Sequence, residues 1–348
     1  MRIVDLRSDT VTLPSPAMRE AIYRAELGDD VYGEDPTVNR LQEMAAERMG
    51  KEAALLVVSG TMGNLVSLLT HCGRGDEIIM GDKAHTFLYE AGGVSALGGI
   101  HVHTVPNTPD GGMDLAEVEA AIRPPNNIHF PRTKVICLEN THNRCGGAAV
   151  PLEHMAAVRA IADRHHLAVH LDGARIFNAA IALGVPASAI AQYADSVQFC
   201  LSKGLAAPVG SLICGSKAFI DEARRTRKIV GGGMRQAGII AAAGIVALEQ
   251  MVDRLAEDHA NAKRLAEGLA NIPGIVVDPA SVQTNIVMFG LKNPRLSLAE
   301  LSARFAAEGV KINPMTATQF RAVTHYGIER EDIEVALEVI RRVMAEAA

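Results

Sequence analysis

Between about Ala53 and Cys214 the chain alternates short apolar or β-branched runs with helical stretches, and this alternation limits the fold more than any other feature. The runs are Ala53–Val58, Glu77–Met80, His101–Val105, Lys134–Leu138, Leu167–Leu171, Ser196–Phe199 and Gly210–Cys214. Strands separated by helices predict an α/β fold, with a mostly parallel sheet covered by helices on both faces. Gly231–Met234 breaks the pattern and opens the Ala-rich run Ala237–Leu248, which predicts a buried helix. Met251–Leu269 then shows helical periodicity with paired charges. Strand candidates Ile275–Val277, Asn285–Phe289 and Ala322–Thr324 follow, with helices predicted over Leu298–Glu308 and Glu331–Ala347. We therefore expect an N-terminal arm over 1–16, too polar for a core strand, a large domain over 17–250 and a smaller C-terminal α+β domain over 251–348.

Composition narrows the function classes. The chain has 348 residues, 48% hydrophobic and 21% charged, which suits a folded protein with a substantial core. A net charge of −6 without a lysine or arginine block argues against nucleic acid or an anionic membrane as the main partner. Ala237–Leu248 is too short to span a bilayer. Asp5 and Asp9 lie where a signal peptide needs an apolar segment, so the expected compartment is the cytoplasm. The five cysteines include no CxxC pair, which fits a reducing environment and suggests neither a disulfide framework nor a metal site.

Chemistry concentrates just beyond two of the strand candidates. Leu167–Leu171 leads into Asp172, and Ser196–Phe199 leads towards Ser202-Lys203-Gly204. Ligands of open α/β sheets bind at the carboxyl ends of the strands, so both side chains are delivered to that rim. An aspartate there can keep a pyridinium nitrogen protonated and a lysine can form a Schiff base with an aldehyde cofactor. Together they are the fixed points of pyridoxal 5'-phosphate (PLP) chemistry.

Two segments are candidates for holding an anion. Ser59–Asn64 follows a strand and opens a helix, where glycine permits close backbone approach and free N–H groups favour phosphate. Arg227, Lys228 and Gly231–Arg235 combine cations with three consecutive glycines, whose entropic cost suggests a backbone fitted against a ligand or another subunit. Among the histidines, His85 and His142 lie just past strands and His129 lies in a loop beside one.

Taken in order, Asp5–Thr12, Gly28–Pro36, Ser59–Asn64, Glu139–Asn143, His170–Asn178, Cys200–Gly204 and Gly231–Gln236 resemble the low-specificity L-threonine aldolases. These belong to the aspartate aminotransferase-like fold (fold type I) of PLP enzymes, and the resemblance extends from Asp5 to His325. It implies that Lys203 carries the cofactor, Asp172 pairs with the pyridine nitrogen, and His85 stacks on the ring. Gly60, Thr61 and Ser202 would hold the phosphate. Lys228 and Arg235 would complete that site from the neighbouring subunit of a homodimer, two of which would pair into a tetramer. Ser8, Arg175 and Arg321 would grip the substrate carboxylate, with Arg175 also at the cofactor, and His129 would face the β-hydroxyl.

The implied reaction is reversible cleavage of L-threonine or L-allo-threonine to glycine and an aldehyde. The base remains open among His129, His85 and a water near Glu90. An aminotransferase or β-eliminating lyase of the same fold would share the cofactor residues, and a PLP-dependent regulator or non-catalytic binding protein is disfavoured because the sequence shows no DNA-binding segment or basic patch and Lys203 is present.

Overall fold

The computed structural model describes residues 2–292 and 296–347. Its centre is a seven-stranded sheet in the order Ala53–Val57, Ser211–Gly215, Ser196–Cys200, Ala168–Asp172, Arg132–Glu139, Asp76–Gly81 and His101–Val105. All seven correspond to the expected runs. Six strands point the same way, and Ser211–Gly215 runs antiparallel to both its neighbours. The exception follows from chain length. Only Leu201–Gly210 connects it to the preceding strand, which is shorter than a parallel crossover needs.

The central five strands are buried on both faces over most of their length, as a sheet covered on both sides requires. One layer includes Pro36–Met49, Leu152–Arg164 and Gly238–Val246, whose apolar residues join the main core around Leu56, Ile136, Val169 and Val197. Gly60–His71 packs on the other face, close enough that a Cβ at Gly63 would meet Gln198 Cγ at 2.4 Å. The Ala-rich helix ends at Val246 and continues as a single wider turn over Ala247–Met251.

A second core gathers Leu265, Leu269, Val287, Phe289, Phe305, Phe320 and Ile340 around a four-stranded antiparallel sheet. Its strands are Asn313–Pro314, Gln319–Val323, Ile286–Leu291 and Ile275–Val276. The helices Leu255–Ala270 and Leu298–Ala307 pack against it, and Arg330–Glu346 packs on those two helices. The N-terminal segment departs from expectation here. Val4–Asp5 pairs in parallel with Val310–Lys311, and Val4 and Leu6 are fully buried in this second core. Overall polarity concealed the alternation of Val4 and Leu6, which is enough for a two-residue strand. Beyond that strand the arm runs towards the large sheet, where Thr12 Oγ1 donates to the Lys203 carbonyl at 3.1 Å.

Candidate active site

Three adjacent strands end at one rim with Glu139, Asp172 and Gln198 in register. Above them lies a cavity of about 180 Å³ bounded by Gly60, Thr61, Asn64, His85, Glu90, Asp172, Ala174, Gln198, Cys200, Ser202 and Lys203. The structure thus brings together Lys203, Asp172, His85, Gly60, Thr61 and Ser202. Glu90, expected near a catalytic water, lies here too, whereas Asn64 and Gln198 are neighbours to which the sequence reading gave no such place. A glutamine inside the otherwise apolar run Ser196–Phe199 was their one legible signal.

Asp172 is buried, so protein donors must replace its water. Its Oδ1 accepts from the Ala174 N–H at 3.1 Å and from the Gln198 amide at 3.1 Å, with that amide oriented so that its oxygen accepts from the Phe199 N–H. Its Oδ2 accepts from Asn64 Nδ2 at 2.9 Å. The same Asn64 nitrogen donates to Glu90 Oε1 at 2.8 Å, and His85 Nδ1 lies 2.9 Å from that oxygen. Glu90 Oε2 is buried without a partner. The Lys203 amine makes no hydrogen bond or ion pair among the described residues, which leaves it available to a ligand.

His85, Glu90 and Asp172 each place one donor atom within 4.8 Å of the others. The Asn64 N–H groups already engage one oxygen of each carboxylate in this cluster, which opposes a metal ion there. A protonated pyridine nitrogen or another N–H suits the same space.

The opposite wall is built for an anion. Ser59 caps Gly60–His71 by accepting from the Met62 N–H, and the Gly60 and Thr61 N–H groups take no partner among the described residues. A Cβ at Gly60 would meet Cys200 Sγ at 2.8 Å, so glycine there permits the close approach. First-turn N–H groups and the helix dipole both favour negative charge.

Arg175 and Arg321 lie off the lining of this cavity. Arg175 caps Ile176–Leu183, and its Nε and Nη2 grip Asp9 at 2.6 and 2.7 Å. Asn285 donates to the same carboxylate at 3.3 Å. Burial works against the charged form of Asp9, but Arg175 outweighs it and holds the carboxyl well below the usual range. Arg321 donates to Asn143 Oδ1 at 2.7 Å and more weakly to the Arg7 carbonyl. Burial lowers Arg321, and the charge of Arg175 lowers it further. A buried guanidinium and a half-buried one therefore face one buried carboxylate, with the outer Nη1 of Arg175 unspent. Ser8, beside Asp9, accepts from the Thr10 N–H and hydroxyl.

Other expected residues lie elsewhere in the chain. His129 is exposed in the loop before Arg132–Glu139, at the amino end of the strand whose carboxyl end forms the site. Eight residues at about 3.3 Å each put it roughly 25 Å from the rim. The expectation that it faces the β-hydroxyl is therefore not met within one chain. The position of a loop relative to its following strand already implied as much. Lys228 is exposed, and Arg235 pairs with Asp29 at 3.0 Å on the surface. Neither reaches this cavity from its own chain. His142 is buried beside Glu139, away from the cavity lining.

Residues 5–292 match the family described as Beta-eliminating lyase. Low-specificity L-threonine aldolase 1 of Arabidopsis thaliana is 50% identical over 347 residues, covering 99% of this chain and 97% of that protein. The chain belongs to the low-specificity L-threonine aldolase family. The low specificity L-threonine aldolase of Escherichia coli K12 is 48% identical, covering 96% of this chain and 97% of its own. Among solved structures, a threonine aldolase of Leishmania major superimposes with a TM-score of 0.82 at 21% identity, over 98% of this chain and 99% of that one. This aldolase-family chain is a lyase on that similarity, with the α/β architecture expected of it.

Charge in the family site makes a testable pH dependence. Burial lowers His85, but the Glu90 hydrogen bond and the Asp172 charge prevail and raise it above its ordinary 6.5. Burial and Asp172 together raise Glu90 above 4.5, against the opposing bonds of His85 and Asn64. Both groups bind protons more tightly folded than unfolded, so both make stability fall as pH rises. The His85 contribution is fully present below about pH 6.5 and is lost as pH passes its folded value. We expect Glu90→Gln to flatten the decline in urea stability between pH 5 and 8, and to lower the His85 pKa read by NMR. A mutant with the unchanged slope and unchanged His85 titration would contradict this linkage.

Proposed function

We propose that this protein cleaves L-threonine and L-allo-threonine reversibly to glycine and acetaldehyde, using PLP held in the rim cavity. The observation that carries the reading is a free lysine amine and a donor-held aspartate sharing one cavity with the N-terminus of a helix. Lys203 would bind the cofactor's aldehyde carbon and Asp172 its ring nitrogen. His85 would lie against the ring, while Gly60, Thr61 and Ser202 would receive the phosphate. When bound, PLP supplies an electron sink that accepts the pair released as the Cα–Cβ bond breaks.

The protein's own residues then decide which bond breaks and where the proton goes. The unspent edge of Arg175 and the excess positive charge of Arg321, with Ser8 beside them, hold the substrate carboxylate, matching the fork geometry of guanidinium. Fixing the carboxylate directs the Cα–Cβ bond across the ring plane. His85 takes the β-hydroxyl proton. Its bond to Glu90 places hydrogen on Nδ1 and leaves Nε2 bare as the base, which is the logic of an oriented imidazole. His129 is too remote in its own chain for that role.

Lys228, Arg235 and the glycine loop serve the phosphate of a second copy in a homodimer, with pairing of dimers into a tetramer. The exposure of Lys228, Gly231 and Arg235 in the single chain supports this arrangement. The setting is the cytoplasm, with small amino acids rather than nucleic acid or membrane as partners. No helix among the described residues is long and apolar enough to cross a membrane.

The test is product analysis with both diastereomers. Acetaldehyde and glycine should appear in equal amounts from each, while D-threonine is refused. A β-pocket separates methyl orientations by only about 1–3 kcal/mol. Release of 2-oxobutanoate and ammonia instead would mean β-elimination and would overturn the reading. His85→Gln should lower kcat by about 10²–10⁴-fold. For assembly, co-expressed Lys203→Ala and Arg235→Ala chains, each inactive alone, should regain activity in hybrids that contain one intact site. Verified hybrids with no activity would exclude a shared site.

A further inference from the structure

Behind Asp172 runs a buried row of polar side chains that the reaction itself does not use. Asn64 and His71 are seven residues apart on the helix Gly60–His71 and so share one face. That face meets His170 and Ser196, which are register partners on adjacent strands. His71 Nε2 lies 2.8 Å from Ser196 Oγ, and His170 Nδ1 lies 2.8 Å from the same oxygen. His170 Nε2 lies 3.0 Å from Asn64 Oδ1. Asn64, His170 and Ser196 are all buried.

The direction of every hydrogen in this row is determined. Asn64 Nδ2 stands between Glu90 Oε1 and Asp172 Oδ2, so its two hydrogens go to those oxygens and its carbonyl oxygen faces His170. His170 must then carry hydrogen on Nε2. Burial pushes His170 down to about 3, so the ring is neutral and Nδ1 is bare. Nδ1 takes the Ser196 hydroxyl hydrogen, and the Ser196 oxygen in turn accepts from His71 Nε2. His71 is likewise neutral, lowered by burial to about 4, and its ring stacks on Phe219 at 4.5 Å.

We propose that His71, Ser196 and His170 form a one-way hydrogen-bond row whose function is to lock the Asn64 amide, and that His170 is thereby a positioning residue for Asp172 and Glu90. An unlocked Asn64 can turn its oxygen towards two carboxylates, replacing two charge-assisted bonds with repulsion. The locked amide holds both acceptors in the geometry the ring nitrogen and His85 require. This inference rests on the assignment of Asp172 and Glu90 to the cofactor site.

The experiment compares the PLP-loaded wild type with His170→Phe, His170→Gln and Ser196→Ala. It reads kcat and KM for L-threonine, the visible absorption band of the bound cofactor, and the melting temperature. Glutamine retains an N–H donor for Asn64 Oδ1, whereas phenylalanine has none. We expect His170→Phe to lower kcat by about tenfold, the scale of one lost buried hydrogen bond, and to displace the absorption band. KM should stay within about twofold, because the carboxylate grip is elsewhere. His170→Gln should restore most of kcat and the band. Ser196→Ala, which frees the His170 tautomer, should fall between.

Equal impairment of the phenylalanine and glutamine variants would overturn the proposal, as would a change in melting temperature alone. If His170→Phe does not fold, Ser196→Ala with wild-type kcat and band overturns it. A wild type that binds PLP but does not cleave threonine would count against the proposed function, and the band would still report on the row.

Discussion

A carboxylate can remain buried and charged only where hydrogen-bond donors replace the water it has lost, and this requirement at Asp172 organises the site. The strand Ala168–Asp172 ends beside Ser196–Cys200, which brings the Gln198 amide within reach. The following turn supplies the Ala174 N–H, and the helix Gly60–His71 supplies Asn64. That helix can come close enough because Gly63 leaves room for Gln198. The same approach delivers the helix N-terminus to the cavity wall. One packing contact thus sets both the positive end of a helix dipole and the donors that hold the Asp172 carboxylate at the same cavity.

Asp9 does for the two cores what Asp172 does for the rim. Its carboxylate joins the N-terminal arm to Arg175 on the large sheet and to Asn285 beside the small one. Strand pairing of Val4–Asp5 with Val310–Lys311 fixes the other end of the arm. Residues contributed by the arm, the large sheet and the small sheet therefore meet around a single point. The charge left over there, two guanidiniums against one carboxylate, suits a ligand with one carboxylate more than it suits a neutral one.

Much of this was legible in the sequence because strand and helix periods repeat locally. All seven strands of the large sheet stand within two residues of their expected bounds. Asp172 and Lys203 could be placed because a residue just past a strand of a parallel sheet has only one rim to occupy. What escaped depends on contacts between distant segments. Asn64 looked like part of a phosphate loop, but its amide turns inward to two carboxylates 26 and 108 residues away. Val4 and Leu6 looked like an exposed arm because only a strand 306 residues later makes them interior. His129 was carried over by resemblance, and the order of loop and strand places it at the far end of the sheet. The antiparallel Ser211–Gly215 could have been read from its short connection.

In the proposed function Lys203 is the residue that binds PLP. The direct measurement is to incubate the protein with PLP, reduce it with borohydride, digest it and locate the added pyridoxyl mass by peptide mapping. The structure predicts stoichiometric label on the peptide containing Lys203, the one cavity-lining lysine among the described residues. Label on another lysine, or none after reduction, would contradict it.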